Sequence, residues 1–279
     1  MDFILILKII IAIILAITPI IIWGYLFYIK DPEPRRLILI TFIGGMLSVI
    51  PIMFYKWTWQ YIPKINIFFY LNNFDHHLIQ IGDLLTIPIS VIFSFMFVGV
   101  IEEYMKHAVV KYGDKKYFRN IDDSIEFSII AALGFAFIEN ILYFLMIWEH
   151  QGVENLVIAF IFRSIFSTFA HILFSGIFGY YYGIANFATP IYQEEILKNR
   201  HKIINFLHKC IHLKGETIFK EEKITEGLII SMSLHAVFNI ILELDFTILI
   251  LPFLIIGYLF LSYLFDKKED HKEYGRISS

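Results

Sequence analysis

The sequence has one cysteine, Cys210, which excludes an internal disulfide. Charge is scarce. Asp, Glu, Lys and Arg make up 18% of the 279 residues, against about 25% in soluble domains. No HExxH zinc signature is present, and nothing points to nucleic-acid or nucleotide binding. There is no internal repeat and no low-complexity tract. The net charge of −3 says little, because the distribution of charge matters more than its sum. What fills the chain is apolar: 58% hydrophobic residues, among them 29 Phe and 16 Tyr. Several apolar runs approach 20 residues, the length that crosses a bilayer core. The expected fold class is an all-α polytopic membrane protein.

Seven membrane segments are expected, over about 3–29, 37–55, 84–105, 125–148, 156–184, 225–243 and 246–265. The first lacks a basic leader and a small-x-small cleavage site, so it reads as a retained helix rather than a signal peptide. Lys and Arg alternate between the loops. The 30–36, 106–119, 185–224 and 266–279 stretches hold nineteen, whereas 56–83, 149–155 and 243–247 hold two. By the positive-inside rule the N-terminus lies outside and the C-terminus is cytoplasmic. The expectation is a single transmembrane domain over 1–265 with a charged tail over 266–279, in a prokaryotic cell membrane. Asp122-Asp123-Ser124, with Glu126 three after Asp123, signals a helix start. Ile196, Ile203, Ile204, Leu207 and Ile211 suggest an amphipathic stretch on the inner surface. The 60–83 stretch reads as an interfacial helix or a re-entrant segment.

The most costly sequence is Glu102-Glu103-Tyr104-Met105-Lys106, closing the apolar run from Leu84. A charge at the centre of a bilayer helix costs about 2.5–3.5 kcal/mol. Lys106 is i+4 from Glu102 and i+3 from Glu103, so it can serve either acid. Three other segments add polar groups: Glu139 and Asn140; Arg163, Ser164, Ser167, His171 and Ser175; His235 and Asn239. Counted from the cytoplasmic ends, Glu102, Glu139, His171, His235 and Asn239 lie roughly 12–20 Å deep. Four helices (about 84–110, 125–148, 156–184 and 225–243) thus place acids, imidazoles and amides in one slab. Small residues at Gly44, Gly45, Ala131, Ala132, Gly134, Gly176, Gly179 and Gly183 allow close helix approach.

Plainer roles weigh against some of these. His171 or His235 alone is as readily an interhelical hydrogen bonder. Arg163 is expected to snorkel outward or pair with Glu149 or Glu154. Asn140 serves equally as packing glue. Asp75-His76-His77 reads as a solvated loop rather than a metal site, and His107, His201, His208 and His212 as surface groups. The two adjacent glutamates resist such a reading, because a structural ion pair needs only one acid.

In order, Glu102-Glu103-x-x-Lys106, Phe135-x-x-x-Glu139-Asn140, Arg163 with His171 eight on, and His235-x-x-x-Asn239 resemble the PrsW family of membrane proteases. Asp31-Pro-Glu-Pro and Leu133-Gly134-Phe135-Ala136 match as well, so the resemblance runs over about residues 25–245. The wider group includes CAAX-prenyl endopeptidases and bacterial CPBP proteins, whose second motif has His where this chain has Glu139. The resemblance implies peptide-bond hydrolysis and, in bacteria, site-1 cleavage of membrane anti-sigma factors.

The mechanism expected is a glutamate-type endopeptidase acting on a membrane-protein substrate. Glu102, in a poorly hydrated pocket, is suited to general-base work. His171 or Glu139 would hold the water, and His235 with Asn239 would donate to the oxyanion. Glu103 is the second acid, and Lys106, Asn140 and Arg163 support the set. No cofactor is required in that scheme. The rival enzyme scheme binds zinc through Glu102, Glu139, His171 and His235. The rival outside enzymology is a scaffold or transporter using the same groups.

Overall fold

The computed structural model describes residues 3–27, 35–59, 61–71, 78–81, 85–197 and 215–269. Its helices are α1 (Phe3–Phe27), α2 (Arg35–Leu47), α3 (Ile50–Thr58), the short α4 (Ile67–Leu71), α5 (Ile89–Val109), α6 (Ile121–Phe162), α7 (Thr168–Asn186), α8 (Ala188–Leu197), α9 (Gly215–Glu243) and α10 (Ile250–Glu269). Among the described residues, five stretches are long and apolar enough to cross a membrane: Phe3–Leu26, Arg35–Thr58, Ile121–Asn186, Gly215–Glu243 and Thr247–Lys267. This is a helical, multi-pass membrane protein.

The 66-residue stretch Ile121–Asn186 is not one rod. Gly152 has φ +85° and ψ 179°, a conformation open essentially only to glycine. The chain reverses there. Phe144 meets Phe160 with ring centroids 6.1 Å apart, and Arg163 lies against Asn140. The expected loop over 149–155 is therefore a tight reversal between two helical arms. Near the start of α6, Asn120 caps the helix by accepting from the Asp123 amide at 2.8 Å. Asp123 in turn accepts from the Arg119 amide at 2.7 Å. The helix begins about four residues earlier than the apolar run suggests.

α7 is the axis of the bundle. Every residue from Ala170 to Ala185 is buried, because α6, α9 and α10 all pack on it. α1 and α2 cover the other side of α6. Small residues set that crossing: a Cβ on Gly45 would strike the carbonyl of Ala131, and one on Gly134 the carbonyl of Phe42.

Two expectations are corrected here. The membrane segment expected over 84–105 is helical only from Ile89: β1 (Leu78–Ile81) and β2 (Leu85–Pro88) pair antiparallel just before α5. Backbone pairing wins over the apolar run in 85–88, and α5 starts at Ile89. α9 begins at Gly215, ten residues before the expected 225, because its charged first turns lie outside the apolar window. Its C-terminus closes as a Schellman turn. Phe246 N–H bonds the Ile241 carbonyl and Asp245 N–H the Leu242 carbonyl, with Asp245 at φ 57°. The expected amphipathic residues Ile203, Ile204, Leu207 and Ile211 lie outside the described residues.

Candidate active site

α5 carries the acid pair at the level where α7 and α9 cross it. Glu103 is buried, its side chain 2% exposed, and Lys106 Nζ lies 2.7 Å from its Oε1. On the i,i+3 spacing Lys106 has chosen Glu103 over Glu102. The same Oε1 meets His235 Nδ1 of α9 at 2.7 Å, and Ser175 Oγ donates to the other oxygen at 3.3 Å. A buried charge is tolerable only when paired and hydrogen-bonded, and Glu103 is both.

Glu102 differs. Its Oε2 lies 3.4 Å from His235 Nε2, out of alignment for a hydrogen bond, so this buried oxygen has no hydrogen-bond partner among the described residues. His171 stands on the next helix, its ring centroid 5.2 Å from that of His235. One carboxylate oxygen of Glu102 and one ring nitrogen each of His171 and His235 lie within 4.8 Å of one another. Three helices thus converge on one point.

A second layer surrounds it. His171 Nδ1 meets Lys106 Nζ at 2.9 Å, and His171 Nε2 meets Glu139 Oε2 at 2.9 Å. Arg163 bonds Glu139 Oε2 through Nη2 and Asn140 Oδ1 through Nε, both at 2.6 Å. Lys106 Nζ also sits 4.5 Å over the Phe135 ring. Glu139 is 31% exposed, more than Glu102 at 13%.

Most of the expected site residues meet. Glu102, Glu103, Lys106, Glu139, Asn140, Arg163, His171 and His235 form one connected set. Asn239 is half-buried one turn from His235, and its side chain bonds no other described residue. Arg163 corrects an expectation: it neither snorkels nor pairs with Glu149 or Glu154. Glu149 is taken by Lys8 of α1 at 2.6 Å, and the reversal at Gly152 swings Arg163 onto Glu139. His107 is likewise buried, not superficial. α5 continues past the acid pair, and its ring sits edge-on to Phe178 and Tyr182, with centroids 4.5 and 4.7 Å away. Asp75-His76-His77, His201, His208 and His212 lie outside the described residues. Sequence reasoning missed Thr168 and Trp23, which bond the backbone beside Arg163. Their partners lie five residues away and on another helix, outside any helical periodicity.

The donor set fits a metal. Two imidazoles and a carboxylate are the ligands of one common catalytic zinc site. The unpartnered Glu102 oxygen marks a buried acceptor with no donor among the described residues. His235 is held through its other nitrogen by a carboxylate, the usual support for a metal-bound imidazole.

The family described as "PrsW family intramembrane metalloprotease" matches residues 33–200. Relatives named Protease PrsW agree. That of Oceanobacillus iheyensis is 29% identical over 235 residues, 82% of each chain. That of Geobacillus kaustophilus is 32% identical over 168 residues, 58% of this chain and 61% of its own. That of Clostridioides difficile is 28% identical over 242 residues, 83% of this chain and 79% of its own. No solved structure matches the chain.

Proposed function

The chain belongs to the PrsW family of membrane proteases, and we propose that it cuts a peptide bond of a membrane-protein substrate at a zinc centre held by Glu102, His171 and His235. The observation that carries this reading is the approach of those three ligand atoms to within 4.8 Å from three separate helices. Bound zinc would supply Lewis acidity toward water and toward the scissile carbonyl.

The chain's own groups do the rest. Glu103 fixes the His235 ring through Nδ1, leaving Nε2 facing Glu102. Lys106 balances the Glu103 charge and approaches His171 Nδ1. Glu139 is the most exposed acid of the set and is steered by Arg163. It is placed to take a proton from water and return it to the leaving amine. Asn239, one turn beyond His235, offers an amide to the developing oxyanion.

One observation favours a metal-free, glutamate-type version of the same reaction. Lys ammonium can only donate, so His171 Nδ1 accepts and Nε2 carries the proton toward Glu139. In that state Nε2 is no metal ligand, and Glu102 acts as the base. Elemental analysis of purified protein separates the two. Stoichiometric zinc, with cleavage lost to a chelator and restored by zinc, supports the metal centre. Full cleavage by zinc-free protein, lost in Glu102→Gln, removes it in favour of the glutamate base.

The proposed topology has seven crossings, with the N-terminus outside and the basic loops cytoplasmic in a bacterial plasma membrane. It counts the two arms of the Gly152 reversal separately and adds α5, whose three charges set it apart from the apolar helices. A single-span anti-sigma factor, the substrate class the resemblance implies, is the first substrate to co-express. A scaffold or transporter would survive Glu102→Gln with its partner assembly or transport intact.

A further inference from the structure

Arg163 and His171 stand eight residues apart, yet both reach the same oxygen of Glu139, at 2.6 and 2.9 Å. Along an uninterrupted α-helix eight residues turn through about 800°, which leaves the two ends about 80° apart. Side chains so divergent do not meet on one atom. The intervening backbone is interrupted: Arg163–Ser167 forms a π-turn, with the Thr168 amide bonded to the Arg163 carbonyl. A π-turn takes up one extra residue. The eight residues then behave as seven, and the two side chains fall within about 20° of one face.

A π-turn departs from the α-helical hydrogen-bond ladder, and two of its carbonyls take side-chain donors, the Arg163 carbonyl in addition to the Thr168 amide. Thr168 Oγ1 donates to the Arg163 carbonyl at 2.9 Å and accepts from Asn140 Nδ2 at 3.3 Å. Trp23, from α1, donates Nε1 to the Ser164 carbonyl at 2.8 Å, with its ring stacked 4.7 Å from Phe169. Asn140 spans the turn, since its oxygen also takes Arg163 Nε.

We infer that Trp23 and Thr168 are positioning residues of the catalytic centre: they hold the π-turn whose extra residue brings Arg163 and His171 onto one carboxylate oxygen of Glu139. Only the activity arm of the test rests on the peptidase reading. Neither side chain is placed at the reacting atoms. Each acts through the backbone that carries His171.

The test uses full-length protein labelled with ¹⁵N-histidine, the His171 ring signal being assigned by its loss in His171→Gln. Wild type, Thr168→Ser, Thr168→Val and Trp23→Phe are compared for that signal, for cleavage kinetics and for thermal midpoint. Thr168→Val and Trp23→Phe should displace the His171 signal and lower kcat about tenfold or more with KM unchanged. Thr168→Ser, which keeps the hydroxyl, should preserve both. If Thr168→Val does not fold, Trp23→Phe decides alone. A His171 signal unmoved by the Val and Phe variants overturns the inference, whatever the activity. A displaced signal in a protein that cleaves no substrate leaves the positioning role standing and defeats the peptidase reading instead.

Discussion

His235 Nδ1 and Glu103 Oε1 lie 2.7 Å apart across 132 residues of chain. That oxygen also takes Lys106 Nζ at 2.7 Å. One buried carboxylate therefore ties α5 to α9 and fixes which way the His235 ring faces. Its neighbour Glu102 is left without such partners among the described residues. The adjacent acids thus divide into one that is paired and hydrogen-bonded and one that keeps an oxygen without a partner among the described residues.

Replacing Glu103 by Leu should harm both stability and activity. Lys106 would be left buried without its counter-charge, a loss of about 3–5 kcal/mol for a broken buried pair. Combining it with Lys106→Met should recover much of the thermal midpoint in detergent but not cleavage, because His235 would remain unanchored. Recovery of cleavage in the double variant would argue that His235 needs no orientation.

Glu102→Gln should behave in the opposite way. Its Oε2 makes no hydrogen bond among the described residues, so stability should stay within about 1 kcal/mol of the wild type. Cleavage of a co-expressed membrane substrate should disappear. Under the zinc reading, bound metal in the purified variant should fall as well, measured by elemental analysis.

Arg163→Lys should not be conservative. Two different residues share the guanidinium, Glu139 through Nη2 and Asn140 through Nε, and a single ammonium cannot reproduce that fork. The expected loss is about 1–3 kcal/mol of stability, with cleavage reduced more than the unfolding data alone would explain. Parallel melting curves and initial rates give the comparison.

Asp114 supplies a pH dependence remote from the site. Burial pushes its carboxyl up from the ordinary 3.8 to about 6, partly offset by a hydrogen bond from Thr41 and by Lys116. The folded state therefore binds more protons than the unfolded state across that interval. Its stability should be greatest below about pH 4, decline as pH rises, and lose the whole contribution above about pH 6. Asp114→Asn should flatten the slope, as read from melting temperatures between pH 4 and 7. An unchanged slope would assign it to other groups.

The acid pair, the spacing of His235 and Asn239 and the apolar runs are local patterns, and each was legible because a helix repeats every 3.6 residues. Depth along each run brought Glu102, Glu139, His171 and His235 to one level before any contact was known. What local periodicity cannot express is a break in the period. Gly152 reversed the chain in one residue and gave Arg163 to Glu139 instead of the interface. The π-turn at Arg163–Ser167 shifted the phase of α7 and recruited Thr168 and Trp23. The short β1–β2 hairpin depends on pairing between strands, which an apolar run does not reveal.

The sequence by itself determined a membrane-spanning helical bundle and the inventory of ionisable groups inside it, because hydrophobic length and the cost of buried charge are properties of single segments. Only the tertiary structure decided which acid Lys106 pairs with, that His107 is buried, and that Glu102 faces two imidazoles with a free oxygen. Those outcomes follow from competition among partners on different helices, and that competition is resolved only once α5, α6, α7 and α9 are packed together.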